Sequence, residues 1–206
     1  MQTGTERKAS NEAYEVRASA LQAVYDNFHY TDAQHARTVQ FVAAAMTVIR
    51  GDAAFDSLEQ LLPVRRLDVG QQPSNSVSHA FDARFLNEWT SIYVNAVPKR
   101  DGTKSFEPML FQIDLRPEMT VSRERLEQQL QLKVVPGWTA DGGNLRWEMA
   151  PLEGLAAFNG GVFVYSPLKQ PRTGFNVEVV LTYLNGPDQD PCTANRLSTI
   201  TISRTY

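Results

Sequence analysis

This chain is poor in the residues that announce chemistry. It holds one cysteine, Cys192, among 206 residues. An internal disulfide is therefore excluded, as is a zinc site built on several cysteines. Its three histidines are His29, His35 and His79. An excess of positive charge is missing too: the formal net charge is −3, and neither the first third nor the rest is basic. That leaves no electrostatic case for nucleic acid or for an anionic membrane surface. No apolar run approaches the roughly 20 residues that a spanning helix needs. The longest, at 39–49, is bounded by polar residues. An N-terminal leader is not visible either, because residues 1–10 are polar and charged, without an apolar h-region.

The motifs of common enzyme classes are equally scarce. There is no G-x-S-x-G elbow, so Ser-His-Asp catalysis has no local support, although triads assemble in space. Gly142-Gly143 and Gly160-Gly161 form neither a dinucleotide fingerprint nor a phosphate loop. Asp188-Gln189-Asp190 opens like a calcium loop but lacks the glycine and distal glutamate of one.

What is present is pattern. Met109, Phe111, Ile113 and Leu115 alternate with Leu110, Gln112 and Asp114, which predicts a strand with one dry face. Arg116-Pro117 is expected to end it, since proline cannot donate to a ladder. Ser122 is placed to cap a short helix, with Val121 stapled against Leu126, Leu126 and Leu130 inward, and Arg123, Glu124, Glu127 and Gln128 in water. Upstream, Tyr14, Ala18, Leu21, Val24, Tyr25 and Phe28 make one apolar stripe of a first helix. Thr31 and Gln34 read as a capping box for a second, with Val39, Val42, Met46 and Ile49 buried and Arg50-Gly51 as its stop. A third, short helix is expected at 55–62, ended by Pro63. GQQPSNSVS at 70–78 is a polar break, after which the periodicity switches to two. Asp101-Gly102 predicts a hairpin between strands at 89–97 and 106–115. Further strands are expected at 81–85, 145–149, 162–165, 175–183 and 197–204. The last, polar on one side, is expected half-exposed or at an edge.

Helices first, then strands with one helix inserted, favour an α+β fold over alternating βαβ units. The expectation is an N-terminal helical hairpin plus short third helix, packed on a mainly antiparallel sheet of about five to seven strands. Residues 1–69 form the helical region and 79–206 the sheet region, within one compact domain.

Several residues are candidates for function. His29 and His35, with Asp26 and Asp32, flank a helix break, but their spacing matches no metal-ligand pattern, so exposed corner residues are the preferred reading and no metal is assigned. His79 with Asp82 reads as a strand histidine in water. Asp114, Glu148 and Glu178 are carboxylates in different strands, which as a pair would serve acid–base chemistry; single charges on a wet sheet face are the ordinary expectation. Cys192 sits in a polar loop with no histidine beside it in sequence and is taken as incidental. The basic hairpin tip, with Lys99, Arg100, Asp101 and Lys104, and the loop tryptophan Trp138 are the candidate partner contacts.

The preferred reading is a non-enzymatic binding or assembly module with no cofactor, whose partner is another protein. A secretion or envelope subunit and an inhibitor or immunity protein both fit. The solvated opening QTGTERKASNEAY resembles the tether that follows a removed leader or anchor, which points to an exported or periplasmic protein; a cytoplasmic one is the alternative. The second reading is a small-ligand binder, or a lyase or isomerase, with a cone-shaped pocket between sheet and helices. Its pocket residues would be Tyr25, His29, Tyr93 and Asp114.

Overall fold

The computed structural model describes residues 20, 23, 27–54, 65–71, 77–82, 90–98, 106–135, 145–149, 158–171, 174–185 and 195–206, with the backbone alone at 65–71, 77–82, 116, 145–149, 158–160 and 185. Helix α1 spans Asp32–Ile49. Its start is the expected capping box: Thr31 Oγ1 accepts from the Gln34 N–H, and the Gln34 carboxamide accepts from the Thr31 N–H at 2.8 Å. Its end is the expected stop, with Arg50 as cap and Gly51 at φ +80°, where a side chain would be strained. Phe41, Val42, Ala45, Met46, Val48 and Ile49 form its buried side. The helix expected before it is helical at Ala20, Ala23 and Asn27; Phe28, the last residue of its expected stripe, is half-buried and not helical, and the rest lies outside the described residues, as does the third helix expected at 55–62.

Helix α2 spans Arg123–Leu130, and Ser122 Oγ caps it by accepting from the Arg125 N–H at 3.3 Å. Val121, Leu126 and Leu130 are buried as expected. It closes on Gln131, a left-handed residue at φ 53°, whose carbonyl accepts from the Leu168 N–H at 2.8 Å. No described helix is long and apolar enough to cross a membrane.

Among the described residues nine strands pair in one sheet: β1 (Arg65–Gln71), β2 (Val77–Asp82), β3 (Ser91–Pro98), β4 (Phe106–Thr120), β5 (Leu132–Val134), β6 (Leu145–Met149), β7 (Phe158–Pro167), β8 (Asn176–Asn185) and β9 (Arg196–Thr205). Their order is β1-β2-β3-β4-β9-β8-β7-β5, and β6 pairs β7 as well. Every described pairing is antiparallel. The fold is thus α+β with an antiparallel sheet. Beside the strands read from the sequence stand β1 and β5. RRLDVGQ has too many charges, and LKV too few residues, to show a period. The polar break at 70–78 joins β1 to β2, which still pair at Gln71 and Val77.

Three strand expectations need correction. β4 does not end at Arg116-Pro117 but runs on to Thr120. The register against β9 slips between Asp114 and Met119, so Pro117 falls in a bulge where no ladder donor is required. Met109 is not on the dry face: a second slip opposite Asn95 and Ala96 puts Pro108 there instead. β9 is half-exposed, one of the two outcomes expected, but it is not an edge strand. It lies between β4 and β8, with Leu197, Ile200 and Ile202 buried and Thr199, Thr201 and Ser203 on the half-exposed side. Threonine combines β propensity with a hydroxyl that tolerates water, so a central strand can be dry on one face only.

Both described helices sit on that dry face. Ile92, Val94, Phe111, Ile113, Ile200, Ile202, Val179 and Leu181 belong to the same buried cluster as the inner side of α1 and Leu126 and Leu130 of α2. Phe41 of α1 meets Phe111 edge-on, with ring centroids 5.9 Å apart.

Candidate functional site

The other face of the sheet is polar, and strand pairing lays its side chains out in rungs. Tyr93 of β3 stands opposite Gln112 of β4, Gln112 opposite Thr201 of β9, and Thr201 opposite Val180 of β8. The next rung holds Ser91, Asp114, Thr199 and Thr182 in the same way. These side chains are half-buried, apart from Ser91, which is exposed. At the centre lies the Asp114 carboxylate. Gln112 Nε2 donates to its two oxygens at 2.9 and 3.2 Å, and the Thr199 hydroxyl donates at 3.3 Å. Those bonds fix its rotamer before any partner arrives, which lowers the entropy cost of binding.

In each of these bonds Asp114 is the acceptor. Among the described residues no histidine or cysteine hydrogen-bonds Asp114. Glu178 shares the face, but it stands at the level of Leu110, across Ser203, whereas Asp114 stands at the level of Thr182. That offset of four residues is about 13 Å along the strand. Two carboxylates acting on one bond sit about 5–9.5 Å apart. Neither Asp114 nor Glu178 has a cationic partner among the described residues, whereas Glu118, farther along β4, is paired with Arg196 at 2.8 Å.

A second constellation lies on the helix side, where α2 crosses β7 and β8. The Tyr165 hydroxyl donates to Glu127 Oε1 at 2.9 Å. The Arg123 guanidinium carbon sits 4.1 Å from the centre of the Phe163 ring, which meets Tyr183 edge-on with centroids 5.8 Å apart. Tyr165 and Tyr183 are fully buried. Burial first, and the Glu127 carboxylate second, push the Tyr165 phenol far above its ordinary range; burial does the same to Tyr183. Both phenols therefore stay protonated at any physiological pH. Glu127 and Arg123, expected in water, are half-buried here. What the sequence offered was their spacing, four apart on the side of α2 that also carries Leu126 and Leu130, and two tyrosines in the apolar positions of strands.

Of the four residues of the expected cone-shaped pocket, Tyr93 and Asp114 share the open face, one rung apart. His29 is exposed just ahead of α1, next to Tyr30, whose hydroxyl donates to the Pro117 carbonyl at 3.0 Å. The structure does not bring His29 to Asp114, and Tyr25 lies outside the described residues. Between α1 and the sheet runs the apolar cluster of Phe41, Phe111 and their neighbours. The proposed contacts Lys99, Arg100, Asp101, Lys104 and Trp138 lie outside the described residues, as do Cys192 and Asp26. Among the described residues no group of three or more His, Cys, Asp or Glu side chains gathers as metal ligands would. Comparison of the chain with family models, with curated proteins and with solved structures found no match.

Proposed function

We propose that this chain is a non-enzymatic recognition or assembly module that meets a protein partner through the polar face of its sheet, around Asp114. The observation that carries this reading is the division of the sheet. Both described helices are committed to the apolar face by one shared core, while the opposite face offers a carboxylate held by Gln112 and Thr199 amid hydroxyl and amide groups. A rigid sheet presents such groups in fixed geometry, as binding surfaces require. The charge on that face favours a partner surface rich in lysine, arginine and other hydrogen-bond donors, because Asp114 and Glu178 have no described cation beside them. A secretion or envelope subunit and an inhibitor protein would use such a face alike.

Parallel affinity capture from native lysate tests this with three baits: the wild-type chain, Thr201→Arg on the polar face and Ala43→Arg on the outer side of α1. The expected result is one stoichiometric partner on wild type and Ala43→Arg. Thr201→Arg should recover it about tenfold less while melting at nearly the wild-type temperature, since neither position is part of the core. Equal recovery by all three would refute the role of this face.

A further inference from the structure

β1 closes one end of the sheet: it pairs β2, and among the described residues no strand pairs its other edge. Such an edge presents a row of backbone donors and acceptors that a further strand can complete. The strand opens Arg65-Arg66-Leu67-Asp68, and its register to β2 is regular until it slips beyond Asp68. Ile92 and Val94 are buried on the dry face, so the register through Phe81 and His79 places positions 66 and 68 on the helix side. Position 67 lines up with Ala80 and Tyr93 on the open side. Arg65 stands across from Asp82, an unlike charge within the chain, whereas Arg66 stands across from Phe81. The ladder with β2 thus sets an acid directly opposite one arginine and not opposite the other.

We propose that β1 pairs antiparallel with β1 of a second copy of this chain, about a twofold axis at Leu67, so that one sheet runs through both copies. The charge order selects both the occupant and the register. With the axis at Leu67, Arg66 of each copy stands opposite Asp68 of the other, and the two copies of Leu67 stand opposite each other on the open side. An axis between two residues would set opposite faces of the sheet against each other, so the axis moves only by whole residues. At residue 66 it would oppose two arginines, and at residue 68 two aspartates; like charges directly opposite are unfavourable. Charges on a free edge ordinarily discourage pairing. In this one register they attract, so the edge accepts its own copy and repels other pairings. The contact is short, which makes the dimer weak, with a Kd on the order of 10 μM. It makes no use of Asp114 and stands apart from the proposed docking face.

Sedimentation velocity of the full chain, from about 1 to about 300 μM, tests this with Arg66→Asp and Asp68→Arg. The wild-type chain is expected to dimerise reversibly, and each variant alone to associate at least about tenfold more weakly, because both of its cross-copy pairs become like-charged. An equimolar mixture of the two variants should return to about the wild-type affinity, since every pair then joins unlike charges again. A disulfide test covers a charge variant that does not fold. In a chain carrying Cys192→Ser, Leu67→Cys should give a linked dimer under mild oxidation. Arg65→Cys should not, because its counterpart lies about 13 Å away along the strand. A wild-type chain that stays monomeric, a dimer left intact by both charge variants, a mixture no stronger than its components, or equal crosslinking from positions 65 and 67 would overturn the proposal.

Discussion

His35 lies near the start of α1 with its ring against Tyr30, centroids 6.1 Å apart. Partial burial lowers its pKa below the ordinary 6.5; the Arg125 charge on α2 adds to this, and Asp32 opposes it. The folded chain therefore holds this proton less tightly than the unfolded one. The stability linked to His35 is fully present above pH 6.5 and is lost as pH falls from there through the lower folded value. The wild-type melting temperature should fall between about pH 7.5 and about pH 5.5, and His35→Gln should flatten that part of the curve. Identical slopes would show that the histidine is not coupled to folding. The local role of α1's cap was readable at this scale, because Thr31 and Gln34 are three residues apart. The state of His35 was not, since Arg125 reaches it from a helix that begins far along the chain.

At the scale of elements, α1 has no basic residue in its last turn, and β9 supplies one. Arg204, with a side chain 4% exposed, donates from Nε to the Ile49 carbonyl at 2.7 Å and from Nη1 to Glu107 of β4 at 2.7 Å. Its guanidinium also lies 4.2 Å from the centre of the Phe175 ring. One cation thus ties the C-terminal end of α1, where the helix dipole is negative, to two central strands. Arg204→Ala would leave that carbonyl unbonded and a carboxylate alone. Glu107 is partly exposed and can rehydrate, so the expected loss is about 3 kcal/mol, a drop of roughly 6–12 °C. Arg204→Lys keeps the charge but not the fork, and should fall in between; a wild-type melting curve for Arg204→Ala would contradict the clamp. Periodicity made most strands legible, and each failure had a physical cause: Pro117 is accommodated by a bulge, β5 is too short to alternate, and β9 is central because threonine can line a wet face.

For the whole molecule, the decisive fact is which side of the sheet each group reaches. The sequence marks Asp114 as lying on the polar side of its strand, whereas Tyr93 is expected in a pocket under the helices; the register places the two one rung apart on the open face. Their separation from His29 was not legible, because it depends on which face α1 covers. The meeting of Glu127 with Tyr165 was likewise hidden, since it depends on α2 folding back over β7. The account rests on the polar face being where another protein docks. The most direct measurement is photo-crosslinking in native cells, with a benzophenone side chain at Thr201 in one sample and at Ala43, on the exposed side of α1, in the other. A discrete protein adduct from position 201 and none from position 43 is the expected result. An adduct from position 43 alone, or from neither, would contradict recognition through the open face.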